Sequence, residues 1–93
     1  MRIVWDPRAV RDLQEIREFI AADKPVAAAH VAERIISSIQ RLTDFPLLGR
    51  LTKQPGIRAL TLSGIPYVVY YHLWADEVEI LAVFHGARRR FHD

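Results

Sequence analysis

The sequence predicts an α+β fold: a short N-terminal strand, an antiparallel helical hairpin, and a mainly antiparallel sheet that ends in a three-strand meander. Three observations lead there. The stretch 57–84 holds three apolar runs, Ile57–Leu62, Tyr67–Leu73 and Val78–Phe84, each of strand length and rich in β-branched and aromatic residues. The residues before them carry apolar positions mostly at helical spacing. Proline and glycine mark the boundaries, at Pro7, Pro25, Pro46, Gly49 and Pro66.

Taken in order, Ile3-Val4-Trp5 is a short apolar run that stops at Asp6-Pro7. Asp6 is a good N-cap, and Pro7 then falls at the first helical position, where a missing N–H costs nothing. In the helix that follows, Val10, Leu13, Ile16 and Ile20 recur at helical spacing, with Phe19 beside them. Its charges, Arg8, Arg11, Asp12, Glu15 and Glu18, fall mostly elsewhere and read as a solvated face. Pro25 disfavours helix at Lys24 and opens a second helix, expected from Pro25 to about Thr43. Ala28, Val31, Ala32, Ile35, Ile39 and Leu42 form its apolar stripe, and its alanines allow close helix approach. The short link predicts an antiparallel hairpin, whose apolar faces need the later sheet to pack on. Pro46 stops the helical part, and the segment to Gly56 reads as a polar, basic loop. Ser63-Gly64-Ile65-Pro66 and Ala75-Asp76-Glu77 read as the two reversals of the meander.

Ninety-three residues bound the chain to one domain, 1–93, with a single modest core. It holds no cysteine, which removes disulfides, thiolate metal sites and cysteine nucleophiles and fits a reducing compartment. No run approaches a signal sequence or a membrane span, so the expected location is the cytoplasm, with no membrane partner. Net charge is +2 and the pI about 9.4, with Lys24 and Lys53 the only lysines among thirteen basic residues. Arginine suits bidentate contacts to carboxylate or phosphate, although a genome-wide composition bias explains the preference equally well. Net charge of this size does not by itself make a nucleic-acid binder.

The middle run carries the strongest internal hint of a partner. Val68 and Tyr70 face one way; Tyr67, Val69, Tyr71 and Leu73 face the other. Both faces are apolar, whereas a half-solvated strand would alternate with charges. The hairpin covers one face only. The other is expected to be covered by the termini and the 45–56 loop, or to stay open as an interaction patch.

The order of elements, and a set of residues along nearly the whole chain, resemble the ParE/RelE toxin superfamily of bacterial type II toxin–antitoxin modules. The residues are Ala9, Asp12-Leu13 and Ile16; Pro25 and Ala28; Pro46 and Gly49-Arg50; Gly56-Ile57-Arg58-Ala59-Leu60; Tyr67-Val68-Val69-Tyr70-Tyr71; and Val78-Glu79-Ile80-Leu81 leading into His85-Gly86-Ala87-Arg88. None is specific alone; together and in order they are. The Pro25 link, the Pro-x-x-Gly-Arg loop and the His-Gly-Ala-Arg ending look more like the ParE branch. That branch implies a plasmid-stabilisation toxin that inhibits DNA gyrase, has no established hydrolytic residues and needs no cofactor. It also implies a hetero-oligomer with a cognate, ParD-like antitoxin that neutralises it. The RelE branch implies a metal-independent mRNA endoribonuclease acting on the ribosome. A third possibility is a non-toxic binding module on the same fold.

RNA cleavage by 2′-OH attack needs a base, an acid and a cation for the phosphate. The available set is Arg58, His85 and Arg88, with Tyr70 or Arg50 in support. His85 has the pKa range for proton transfer, but a lone histidine before glycine also serves as a hydrogen-bonding residue. Arg58 has equally a structural reading, paired with a carboxylate such as Glu79 or Asp44 or anchoring the tail. Arg50, Arg58, Tyr70, His85, Arg88, Arg89 and Arg90 are the partner-binding candidates, the last three as a recognition end or as a solvated charge run. The four histidines show no metal-ligand spacing, so no metal site is expected.

Overall fold

The structure, a computed structural model, describes residues 1–86. Its elements are β1 (Arg2–Trp5), α1 (Pro7–Ala21), α2 (Pro25–Gln40), β2 (Arg50–Leu51), β3 (Ile57–Thr61), β4 (Tyr67–Leu73) and β5 (Glu77–His85). The five strands form one sheet in the order β1-β5-β4-β3-β2. All pairings are antiparallel except β1 on β5, which is parallel, Arg2 opposite Glu77 and Trp5 opposite Ile80. Among the described residues, no helix is long and apolar enough to cross a membrane.

The helix boundaries follow the sequence chemistry. The Asp6 carboxylate accepts a hydrogen bond from the Arg8 backbone N–H at 2.9 Å, and Pro7 follows at the start of α1. Asp6 also donates its own N–H to Ile80 O, so the last ladder bond of β1 and the first turn of α1 meet at one residue. Pro25 opens α2, which ends at Gln40; the expected last turn to Thr43 tightens into a 3-10 turn, Arg41–Thr43. The second departure is β2. Arg50 and Leu51, expected in a loop, pair with Ala59 and Arg58 and extend the sheet by a short edge.

The hairpin covers one face of the sheet. Ala9, Ile35, Ile39 and Leu42 pack there against Val69, Tyr71, Val78 and Ile80, all essentially inaccessible to water. Each fully buried aliphatic contributes roughly 1.5–3 kcal/mol by removal from water. A bulge interrupts β5: Tyr70 lies opposite Ala82 and Tyr71 opposite Ile80, which leaves Leu81 as the extra residue. Just beyond the bulge, where β1 has ended, the Val83 N–H donates to the Asp12 carboxylate at 3.0 Å. A side chain of α1 thus supplies an acceptor that a further strand would have given, which blunts the edge.

Of the two outcomes expected for the second face, cover by the chain itself or an open patch, the structure shows a covered one. Ala59, Val68, Tyr70, Ala82 and Phe84 form a compact cluster there, none more than 7% exposed. Arg8 places its guanidinium 5.0 Å from the centre of the Phe84 ring. The doubly apolar middle strand is buried on both sides within the chain itself. Large exposed apolar side chains lie elsewhere, and four of them, Phe45, Leu47, Leu48 and Leu51, are neighbours in sequence.

Candidate functional site

Those four residues belong to a segment whose backbone is fixed by the sheet. Tyr71 of β4 is fully buried, yet its hydroxyl reaches the segment, donating to Pro46 O at 2.7 Å and accepting from Gly49 N–H at 2.9 Å. Burial raises the Tyr71 pKa above its usual value, against the opposing pull of the Gly49 N–H and the Arg58 charge. The phenol therefore stays protonated and keeps its donor at neutral pH. Arg58 of β3 adds a second clamp, donating to Gly49 O at 2.7 Å. Gly49 is required by proximity: a Cβ there would lie 2.8 Å from the Tyr71 hydroxyl and ring edge. The outcome is a rigid backbone that displays Phe45, Leu47, Leu48 and Leu51 at 43–66% exposure.

Arg58 does not pair with Glu79 or Asp44. Its hydrogen bonds go to backbone carbonyls, while Glu79 accepts from the Trp74 indole at 2.9 Å. Arg58 and His85 lie on the same face but at opposite ends of β4, Arg58 opposite Tyr71 and His85 opposite Tyr67. Four residues along β4 and two strand spacings across it put their backbones roughly 16 Å apart. That is too far for one phosphate to meet both a base and a charge clamp. Arg50 and Tyr70 occupy the other face, in one cross-strand row, Arg50–Ala59–Tyr70–Ala82. Tyr70 is buried, with its ring 5.8 Å from that of Phe84. Arg88, Arg89 and Arg90 lie outside the described residues.

His85 is exposed and meets the Tyr67 ring edge-on at 5.6 Å. The two line a groove of about 310 Å³ with Asp12, Glu15, Ile16 and Phe19 of α1. Among the described residues that line it, the groove offers the Asp12 and Glu15 carboxylates beside His85 and no arginine or lysine. Among the described residues, no three His, Asp or Glu side chains converge on a metal position. This surface is an apolar display set on a backbone held by Tyr71 and Arg58.

Sequence reasoning singled out Arg58 and missed Tyr71, Asp12 and the exposed apolar segment. The last had a local signal. Phe45-Pro46-Leu47-Leu48 is a run of large apolar residues at a position where proline ends the helix and no strand follows at once. Such a run has no core-facing period and is free to point outward.

Comparison with known proteins agrees with the fold. The family model described as ParE toxin of the type II toxin-antitoxin system, parDE, matches residues 3–90. The Sinorhizobium fredii protein Y4kP is 43% identical over 85 residues, covering 91% of this chain and 88% of that protein. Toxin RelE2 of Caulobacter vibrioides is 34% identical, covering 94% and 97% respectively. A solved structure of the chromosomal ParDE toxin–antitoxin system from P. aeruginosa superposes with a TM-score of 0.82 at 25% identity, covering 91% of this chain and 95% of that one.

Proposed function

The chain belongs to the ParE toxin family of type II toxin–antitoxin systems, and from that premise we propose that it acts by binding DNA gyrase and is held inactive by a cognate, ParD-like antitoxin. In this reading it works in the cytoplasm, where gyrase is, as one half of a plasmid-stabilisation module. It is a protein-binding inhibitor rather than a hydrolase. The observation that carries the choice is the separation of Arg58 from His85, with Arg58 committed to the Gly49 carbonyl. A nuclease reading needs those groups to converge, whereas an inhibitor needs only a rigid surface.

Ribosome-dependent mRNA cleavage is the second reading, and the names of two relatives, toxins RelE2 and RelE3 of Caulobacter vibrioides, favour it. One pair of assays separates them. Purified protein is added to a gyrase supercoiling reaction and to translating ribosomes. The expected outcome is loss of supercoiling with accumulation of cleaved DNA, and intact mRNA. Codon-spaced cuts in the mRNA with unchanged supercoiling would replace the gyrase reading with the nuclease one. A binding module without toxicity would leave both reactions, and the growth of expressing cells, unchanged.

A further inference from the structure

The groove between α1 and the end of β5 has no part in the inhibitor reading, yet it has the make-up of a small-molecule site. Its volume, about 310 Å³, lies at the lower end of the range for such sites, about 300–1,000 Å³. Ile16 and Phe19 line it from α1, Val83 and Phe84 from β5, and Tyr67 from the start of β4. Phe19 is 77% exposed, so most of its ring is free of packing within the chain. Apolar and aromatic surface thus makes up most of the walls.

The formal charges in the groove are of one sign. Asp12 and Glu15 bring two carboxylates to it, and among the described residues no arginine or lysine lines it. Asp12 is held in place, one of its oxygens accepting the Val83 N–H at 3.0 Å. Glu15 is exposed, and its carboxylate makes no ion pair or hydrogen bond among the described residues. Arg8 lies against the Phe84 ring but does not line the groove. One carboxylate is therefore fixed and the other unpaired, beside rings whose faces attract cations.

We propose that this groove binds a short linear alkyl polyamine. Two of its ammonium groups meet Asp12 and Glu15, and the methylenes between them lie on Ile16, Phe19 and Val83. Spacing selects this class of ligand. Side chains three apart on a helix leave it roughly 5–6 Å from one another, about the span of two ammonium groups joined by three or four methylenes. An anion would be repelled. A metal ion would find two carboxylates and, among the described residues, no group of three ligands. The proposal goes beyond the toxin reading and does not depend on it.

The test is a titration of the isotopically labelled full chain, followed by amide NMR. The probe is the diamine 1,4-diaminobutane, and its shifts are expected around Asp12, Glu15, Val83 and His85. The monoamine 1-aminobutane should bind at least fivefold more weakly. Glu15→Gln and Phe19→Ala are each expected to weaken the diamine at least fivefold, whereas Glu18→Gln, exposed on α1 outside the groove, should change nothing. Glu15 and Phe19 are both exposed, and melting at the wild-type temperature would show that their variants keep the fold. Wild-type affinity in both variants, or shifts confined to other surfaces, would overturn the site. Magnesium that displaces the diamine at equal concentration would reveal unspecific attraction to carboxylates and overturn it too. Binding that emerges only when Arg88, Arg89 and Arg90 are all replaced by glutamine would give the groove to the chain's own arginines and likewise overturn the proposal.

Discussion

Tyr71 shows how much one side chain can settle. Its ring belongs to the helix-side core, and its hydroxyl satisfies a carbonyl and an amide of a segment more than twenty residues earlier. Tyr71→Phe keeps the ring but strands Pro46 O and Gly49 N–H in a poorly solvated place. The expected cost is about 1–3 kcal/mol, read as a lower urea midpoint with unchanged slope. The same residue sets an alkaline limit. Its pKa is higher in the folded state than in the unfolded chain, so the folded state holds the proton more tightly. Its contribution is complete below the unfolded value, about 10, and fades as pH rises through the folded value. Unfolding curves from pH 8 upward should show wild type losing stability on that limb, and Tyr71→Phe losing less. Gly49→Ala is expected to harm the fold although it adds a single methyl, since Gly49 is buried and the methyl meets the same phenol. Thermal melting of that variant checks it.

At the level of elements, the helical hairpin and the meander were legible because their signals are local. The stripe Ala28–Ala32–Ile35–Ile39 and the alternation in Tyr67–Leu73 are periodicities that a short window reveals. The Asp6 cap was legible for the same reason, and Asp6→Ala should cost about 1 kcal/mol in chemical denaturation. What escaped was pairing between distant parts. Nothing near Arg50-Leu51 announces that two residues will find Ala59 and Arg58. Nothing near Ile3 fixes that β1 runs parallel to β5. The bulge at Leu81 was equally silent, because an extra residue shifts register without altering composition.

For the whole molecule, sequence reasoning placed the interaction hint on the wrong surface. It reasoned that one hairpin covers one face and left two outcomes for the second apolar face, cover by the chain itself or an open patch. The second cluster is closed, and the exposed apolar surface moved to the segment after α2. Burial is a property of the complete fold, so it could not be read from Tyr70 or Phe84 alone. Arg58, a partner-binding candidate from the sequence, donates to the Gly49 carbonyl and so helps to shape the segment. Arg58→Ala is therefore expected to loosen residues 45–51. Faster amide exchange at Gly49 and its neighbours, with exchange in β4 and β5 still slowest, would bear that out.

The parallel pairing of β1 with β5 also orders events in time. The Arg2–Glu77 contact joins residues 75 apart in sequence. As the ribosome emits the chain from its N-terminus, β1 emerges first and has nothing to pair with. α1 and α2 then appear as a hairpin without the sheet it must cover. Only when residues 77–80 have emerged can the first strand dock and the Asp6 cap join Ile80. At about 5–20 residues per second, that interval is several seconds. A toxin wired this way stays unassembled throughout most of its own synthesis, and the cell meets the finished surface late and all at once.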